Sequence, residues 1–375
     1  MLGRGIILTA VAVYIVVLGC IMWPTESPRG KTPEEGAALP AGTQAPPNLA
    51  GLPYRGVAMQ IQRVDWVEQY KKNIDEIAAI GADTVLLVLD TRQENAKSCR
   101  IYLDMRMTLS PEKLGELIAH AKGHGLRVVL MPVVLLDNPA VSSNEWRGTI
   151  SPDETHGGWN EWWDSYRSMI NHFAWIAESN HANVLVVGSE LVSTEDQLDQ
   201  WTRTIQAVRR TFHGQLTYSS NWDHYTAVHF WDQLDLIGMN SYWKLGPDRN
   251  VSVEEIQKNW REIQHGRSGH DGVLDFVTKQ HKPLLFLEVG WCSMANAASE
   301  PWDYTTSDPV DLELQRKLYE GFFRTWYGNP HLGGFMVWEW PPGDGGASDR
   351  GYTPENKPAE AVLREWLAKP RWEVK

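Results

Sequence analysis

Cysteine is scarce, with three in 375 residues. That excludes a disulfide scaffold and a Cys-based zinc cluster. Positive charge is also short: 35 Lys+Arg stand against 47 Asp+Glu, for a formal net charge of -12. A nucleic-acid binder needs a basic face that displaces counterions, so that class is set aside. No internal repeat is present, and no low-complexity stretch beyond residue 50. What the chain does have is enough apolar sequence for a real core, at 42% hydrophobic against 22% charged residues. It also has 19 tryptophans. Some must be core, but so many flat rings in an acidic protein also point to a surface on which something stacks.

The N-terminus reads as separate from the fold. Residues 1–4 carry one positive charge, and Gly5 to Trp23 follow without any. Such a run is long enough to span a bilayer as a helix, and it implies export of the mature domain. Two outcomes stay open. The segment is retained as a membrane anchor, or Val17-Leu18-Gly19-Cys20 acts as a lipoprotein signal with Cys20 lipidated. Residues 24–50 hold six prolines and three glycines. They cannot bury enough surface to offset their ordering entropy and read as a disordered linker. The folded domain is expected over 51–368, with 369–375 as a tail.

Strand and helix patterns alternate through that domain. Strands are expected at Tyr54–Gln60, Thr84–Leu89, Val128–Leu136, Val184–Gly188, Leu216–Ser220, Leu236–Met239, Leu284–Leu287 and Gly334–Val337. Helices are expected at Asp65–Ile80, from Ser110-Pro111, at Trp159–Glu178, Thr194–Thr211, Ala227–Gln233, Val253–Gln280, Pro309–Tyr327 and Pro358–Leu367. Eight strand–helix units imply an α/β fold with a parallel sheet, a single (β/α)8 TIM barrel. The alternative, a doubly wound open sheet, usually carries a Gly-rich first turn. Here Ile61-Gln62-Arg63-Val64 has no glycine.

Two glutamates stand where a barrel does chemistry. The fourth predicted strand runs into Gly188-Ser189-Glu190, and the seventh into Glu288-Val289-Gly290-Trp291. Alternation puts Val184, Val186, Gly188 and Glu190 on one face, and Leu284, Phe286 and Glu288 on one face. If both faces point inward, the carboxylates meet over the C-terminal mouth, where barrel active sites lie. Two facing carboxylates are the minimum equipment for cleaving a glycosidic bond, one protonated to assist the leaving oxygen and one ionised. Burial and mutual repulsion separate their proton affinities and create the two roles. The ordinary alternative is a rim salt bridge for each. No metal or organic cofactor is required by this chemistry.

These segments resemble glycoside hydrolase family 113, known chiefly for β-1,4-mannanases, within a large clan of retaining barrel glycosidases. The resemblance rests on Val187 to Leu191, Phe286 to Trp291, Leu236 to Tyr242, Gly333 to Trp340, and the closing Tyr352-Thr353-Pro354 and Lys357-Pro358-Ala359. It covers roughly Arg55 to Trp366. It implies Glu190 as acid/base, Glu288 as nucleophile, Tyr242 as hydrogen-bond partner of the nucleophile and Trp338 as the floor under the sugar. It further implies a polysaccharide or oligosaccharide substrate, most simply mannan. Much of the clan has Asn directly before the acid/base. Here that residue is Ser189, and Asn221 is the candidate to reach inward instead.

Trp222, Trp243, Trp291, Trp338 and Trp340 fall near strand ends, where a ring face can stack on a sugar. Packing of the upper barrel is the bland alternative for each. Asp90, Arg92 and Asp137 follow strands and are candidates to hold sugar hydroxyls. Glu339 is a rival carboxylate, which alternation turns away if Trp338 faces inward. His120 and His124 have metal-ligand spacing on a helix but no evident acidic partner in sequence, so a solvated helix face is expected. Cys99 and Cys292 are expected as free thiols. Asn250-Val251-Ser252 is a glycosylation sequon only in a eukaryotic secretory host.

Overall fold

The computed structural model describes residues 49–266, 271–343 and 345–375. Eight parallel strands form the barrel: β1 (Tyr54–Ile61), β2 (Thr84–Gln93), β4 (Arg127–Leu136), β5 (Val184–Ser189), β6 (Gln215–Ser220), β7 (Ile237–Asn240), β8 (Leu284–Val289) and β9 (Leu332–Val337). Pairing runs β1-β9-β8-β7-β6-β5-β4-β2 and closes through β1–β2. The short β3 (Ile101–Tyr102) adds antiparallel to the end of β2, opposite Arg92 and Gln93. Two residues carry no readable period, so this hairpin was not visible in the sequence.

Eight α-helices are present among the described residues: α1 (Val67–Ala79), α2 (Pro111–Gly123), α3 (Gly158–Ser179), α4 (Leu198–Arg209), α5 (Val253–His265), α6 (Val273–Gln280), α7 (Leu312–Trp326) and α8 (Pro358–Leu367). Ser110 caps α2 by accepting from the Lys113 N–H, with Pro111 in the first turn. The expected helix over 253–280 divides in two, because α5 ends against Gly266 at φ 78°. The expected helix over 227–233 shrinks to one 3-10 turn, Trp231–Gln233. The expected membrane segment and residues 24–48 of the expected linker lie outside the described residues. Among the described residues no helix is long and apolar enough to cross a membrane.

The core has two layers. Inside the barrel, Tyr54, Ala58, Leu86, Val88, Val129, Met131, Val133, Val184, Val186, Leu285, Leu287 and Met336 pack together. The larger outer layer lies between strands and helices and takes most of the buried tryptophans, including Trp162, Trp163, Trp201 and Trp326. Cys99 and Cys292 are buried free thiols, as expected.

The layer assignment corrects one expectation. On β8 the residues pointing into the barrel are Leu285 and Leu287, while Leu284 and Phe286 pack outward. Simple alternation would therefore send Glu288 out. It does not, because the β7–β8 register shifts between Met239↔Phe286 and Asn240↔Glu288. The extra residue is a bulge, which re-aims the side chain after it. β5 behaves alike. Val186 pairs with Thr217, but Ser189 pairs with Ser219, so one residue is extra. A side chain at Gly188 would meet Trp201, Tyr166 and Tyr218 of the outer layer, so Gly188 does not share the inward face of Val186.

Candidate active site

Both glutamates reach the barrel mouth through these irregular strand ends. Glu190 adopts φ 54°, and its N–H donates to the Ser219 carbonyl at 2.8 Å. A left-handed backbone is rare for a side chain this long and is tolerated where surrounding structure over-determines it. Glu288 sits on β8, and the chain beyond it needs a glycine. A Cβ at Gly290 would lie 2.0 Å from the Trp338 carbonyl oxygen, so the two strand ends can cross only without one. Glu190 and Glu288 are 9% and 5% exposed and line one open cavity of about 1210 Å³.

Their partners differ. Glu190 Oε1 accepts from Asn240 Nδ2, and Oε2 from Arg147 Nη2. Glu288 Oε2 accepts from Tyr242 Oη at 2.7 Å. Asn240 connects the two halves. Its backbone is in register with Glu288, while its amide donates to Glu190 and, at 3.0 Å, to Asn221 Oδ1. The Asn240 Oδ1 accepts from the Trp222 N–H at 2.9 Å, which fixes the amide's orientation. Burial, together with the negative charge of Glu190, pushes the Glu288 carboxyl up to about 8, against the opposing pull of Tyr242 and Arg147. A negative charge on Glu288 is therefore disfavoured below about pH 8.

The structure brings Glu190, Glu288, Tyr242, Asn221, Trp222 and Trp338 to one cavity. Two expected site residues do not join them. Trp291 is fully buried, edge-on to Tyr319 at 5.2 Å and beside Trp260, because its position past the bulge faces the helical layer. It is a core residue. Arg92 is held by Asp90 at 2.6 Å and Asp137 at 3.0 Å and does not border the cavity. Its partner Asp90 does, and burial raises the Asp90 carboxyl despite the Arg92 hydrogen bond. Trp340 is also core, its indole N–H donating to Glu76 at 3.0 Å. Trp243 packs between Trp222 and Trp260. Ser189 Oγ is buried with no protein hydrogen-bond partner and does not border the cavity.

Glu339 was expected to turn away, yet it lines the cavity with Trp338. β9 ends at Val337, so strand alternation no longer governs either residue. Gln60 Nε2 donates to Glu339 at 2.8 Å, and burial pushes this carboxyl up to about 7. The sequence reading also missed Arg147 and Asn240. Asn240 lay inside a recognised segment and is a polar residue at a strand end, which was a usable signal. Arg147 sits in an irregular connection between β4 and α3, where no periodicity marks a functional side chain. The same holds for Trp146, Trp302 and Tyr304, exposed aromatics on loops that border the cavity. Trp302 stacks on Trp222 at 6.0 Å, with the Lys244 ammonium 5.3 Å from its ring centre.

Arg147 opposes the rise of the Glu288 carboxyl. Its positive charge favours the ionised form of Glu288, so that carboxyl loses its proton at a lower pH than it otherwise would. Arg147→Met removes that charge. The alkaline limb of the kcat/KM profile is expected to move up by about one pH unit or more. An unmoved limb would show that Arg147 has little influence on Glu288.

A (β/α)8 barrel whose mouth holds two buried, hydrogen-bonded carboxylates beneath an aromatic-lined cleft is equipped as a glycoside hydrolase. The model of Glycoside Hydrolase Family 113 matches residues 57–357, and the chain belongs to that family. Among solved structures, the β-mannanase AaManA from Alicyclobacillus acidocaldarius, in complex with ManMIm, is similar at 26% identity and a TM-score of 0.73. The match covers 85% of this chain and 98% of that one. Another GH113 β-1,4-mannanase matches at 25% identity and a TM-score of 0.73, over 85% of this chain and 100% of that one. A β-glucuronidase from Ruminococcus gnavus shares the fold at 13% identity and a TM-score of 0.54, over 84% of this chain and 50% of that one. Comparison with the curated proteins gave no match.

Proposed function

We propose that this enzyme hydrolyses β-1,4-mannan or its oligosaccharides with retention of anomeric configuration. In the first step Glu288 attacks the anomeric carbon, a C–O bond to the carboxylate forms, and the glycosidic C–O bond breaks. Glu190 gives its proton to the departing oxygen. In the second step Glu190 takes a proton from water, whose oxygen displaces Glu288. The observation that carries this reading is Asn240, one residue that is registered with Glu288 and hydrogen-bonded to Glu190. Asn240 pairs through its backbone with Glu288 and reaches Glu190 with its side chain, so the two glutamates stand side by side at the mouth, which supports the close spacing of a double displacement. Mannan as substrate is supported by the likeness to two GH113 β-mannanases over nearly their full length.

The cavity, at about 1210 Å³, exceeds the roughly 300–1,000 Å³ of pockets that hold one drug-sized ligand. It is open, and aromatics stand at several points of its rim. That supports an extended glycan crossing the mouth rather than a single terminal sugar. The apolar run of residues 5–23 supports export, with the barrel tethered to a membrane through the linker.

The test is incubation of the full chain with mannans, β-glucans and xylans, reading the released sugars and, by NMR, the first anomer formed. Mannooligosaccharides appearing first as the β-anomer are expected. Cleavage of glucan or xylan with mannan untouched would overturn the substrate. A first α-anomer would overturn retention.

A further inference from the structure

We propose that Asp75, His120 and His124 form a surface site for a divalent transition-metal ion of the zinc, copper and nickel class, bridging α1 and α2. His120 lies in the last turn of α2 and His124 is its C-cap. Four residues apart, they project from one face, with ring centroids 4.9 Å apart. Sequence alone offered this spacing without an acidic partner. The fold supplies one from 45 positions away. Asp75 of α1 places Oδ1 2.7 Å from His120 Nε2 and 2.9 Å from His124 Nε2. One ligand atom from each residue lies within 4.8 Å of the other two.

The chemistry of this donor set is selective. Two imidazole nitrogens and one carboxylate oxygen suit borderline metals, whereas calcium and magnesium favour oxygen alone. The three side chains are 28%, 41% and 51% exposed for His120, His124 and Asp75, which leaves an entry path and room for water to complete the coordination shell. The C-terminal end of α2 carries the negative pole of its dipole, which favours a cation there. Glu116, one turn before His120, adds negative charge nearby. The four lysines on these helices are paired elsewhere than with Asp75: Lys72 lies 3.5 Å from Glu76, and Lys113 donates to the Val64 carbonyl at 3.2 Å. Lys71 is committed to Glu68 and Glu116, and Lys122 to the carbonyls of Asn180 and His181. None of the three residues borders the catalytic cavity, so the site stands apart from the hydrolytic reading.

The alternative is a metal-independent trio in which both imidazoles donate an N–H to one carboxylate oxygen. The experiment that separates them uses the full chain, untagged and stripped of metal. It is titrated with Zn²⁺ by calorimetry and with Co²⁺ by visible absorption, and its melting temperature is followed with and without Zn²⁺. One equivalent of bound metal, a visible cobalt band displaced by zinc, and a raised melting temperature are expected. His124→Ala and Asp75→Asn should each weaken binding by about tenfold or more. Both should remove the melting shift while melting normally without metal. Hydrolytic activity should be the same with and without Zn²⁺. Binding that survives both substitutions would assign the metal to other groups, and no melting shift at millimolar Zn²⁺ would leave only the hydrogen-bonded trio. Either result overturns the proposal.

Discussion

Glu288→Gln is expected to lower kcat/KM on mannan by about 10⁴-fold or more, since removal of an attacking group from a concerted site costs up to about 10⁶. The amide has the shape of the carboxyl but, in the proposed double displacement, cannot form the glycosyl-enzyme. Unfolding is not the expected cause. Tyr242 Oη, now 2.7 Å from Glu288 Oε2, can still donate to the amide oxygen. Above about pH 8 the substitution also removes a like charge facing Glu190. The sign of the pH dependence follows from the direction of the shift. Glu288 rises from 4.5 to about 8 on folding. Its contribution to stability is intact below 4.5 and is lost as pH climbs through about 8, where the folded protein must hold both charges. The variant escapes that loss. Its melting temperature should match the parent's near pH 4.5 and exceed it at pH 9, while glycan binding persists. A variant that keeps a tenth of parental turnover would remove Glu288 from the reaction.

The sequence carried the barrel well because long apolar strands alternating with amphipathic helices leave a strong periodic signal. β4 and α8 stand almost where the pattern placed them, while β2 starts at the expected Thr84 but runs on to Gln93, so that Asp90 and Arg92 lie within the strand rather than after it. The two glutamates were also legible, though strand alternation alone gives Glu288 the wrong face. Alternation put Leu284 and Phe286 on the inner face with Glu288, yet Phe286 packs outward against Trp326 at 4.9 Å. A bulge, not the strand period, turns Glu288 inward. Bulges are set by how two strands pair and leave no mark in one strand read alone. Aromatic side chains posed the converse difficulty. Trp291 and Trp338 both sit just past strand ends, but only Trp338 borders the cavity. Which face a ring takes there depends on contacts from distant segments, such as Tyr319 under Trp291. Arg147 and the Asp75 partner of the two histidines were hidden for the same reason, since each matters only through a side chain more than forty residues away.

Glu190→Gln should cost about 10²–10⁴-fold on mannan, the usual contribution of a positioned general acid and base. The loss should depend on the leaving group, which sets it apart from the Glu288 effect. An aryl mannoside with an acidic phenol needs little proton assistance, so its first step survives and the glycosyl-enzyme accumulates as a burst. Water then attacks slowly, because nothing takes its proton. Azide needs no such help. Adding it should restore turnover of the aryl substrate and release a β-mannosyl azide, formed on the face of the sugar that Glu288 does not occupy. Local geometry argues for testing Glu190→Ala beside it. Asn240 Nδ2 and Arg147 Nη2 both donate to Glu190, so a glutamine there must turn its own amide N–H groups toward one of two donors. Alanine avoids that clash and opens space for the azide. An α-azide product from either variant would mean that Glu190 is the residue bonded to the sugar, and the two roles would have to be exchanged.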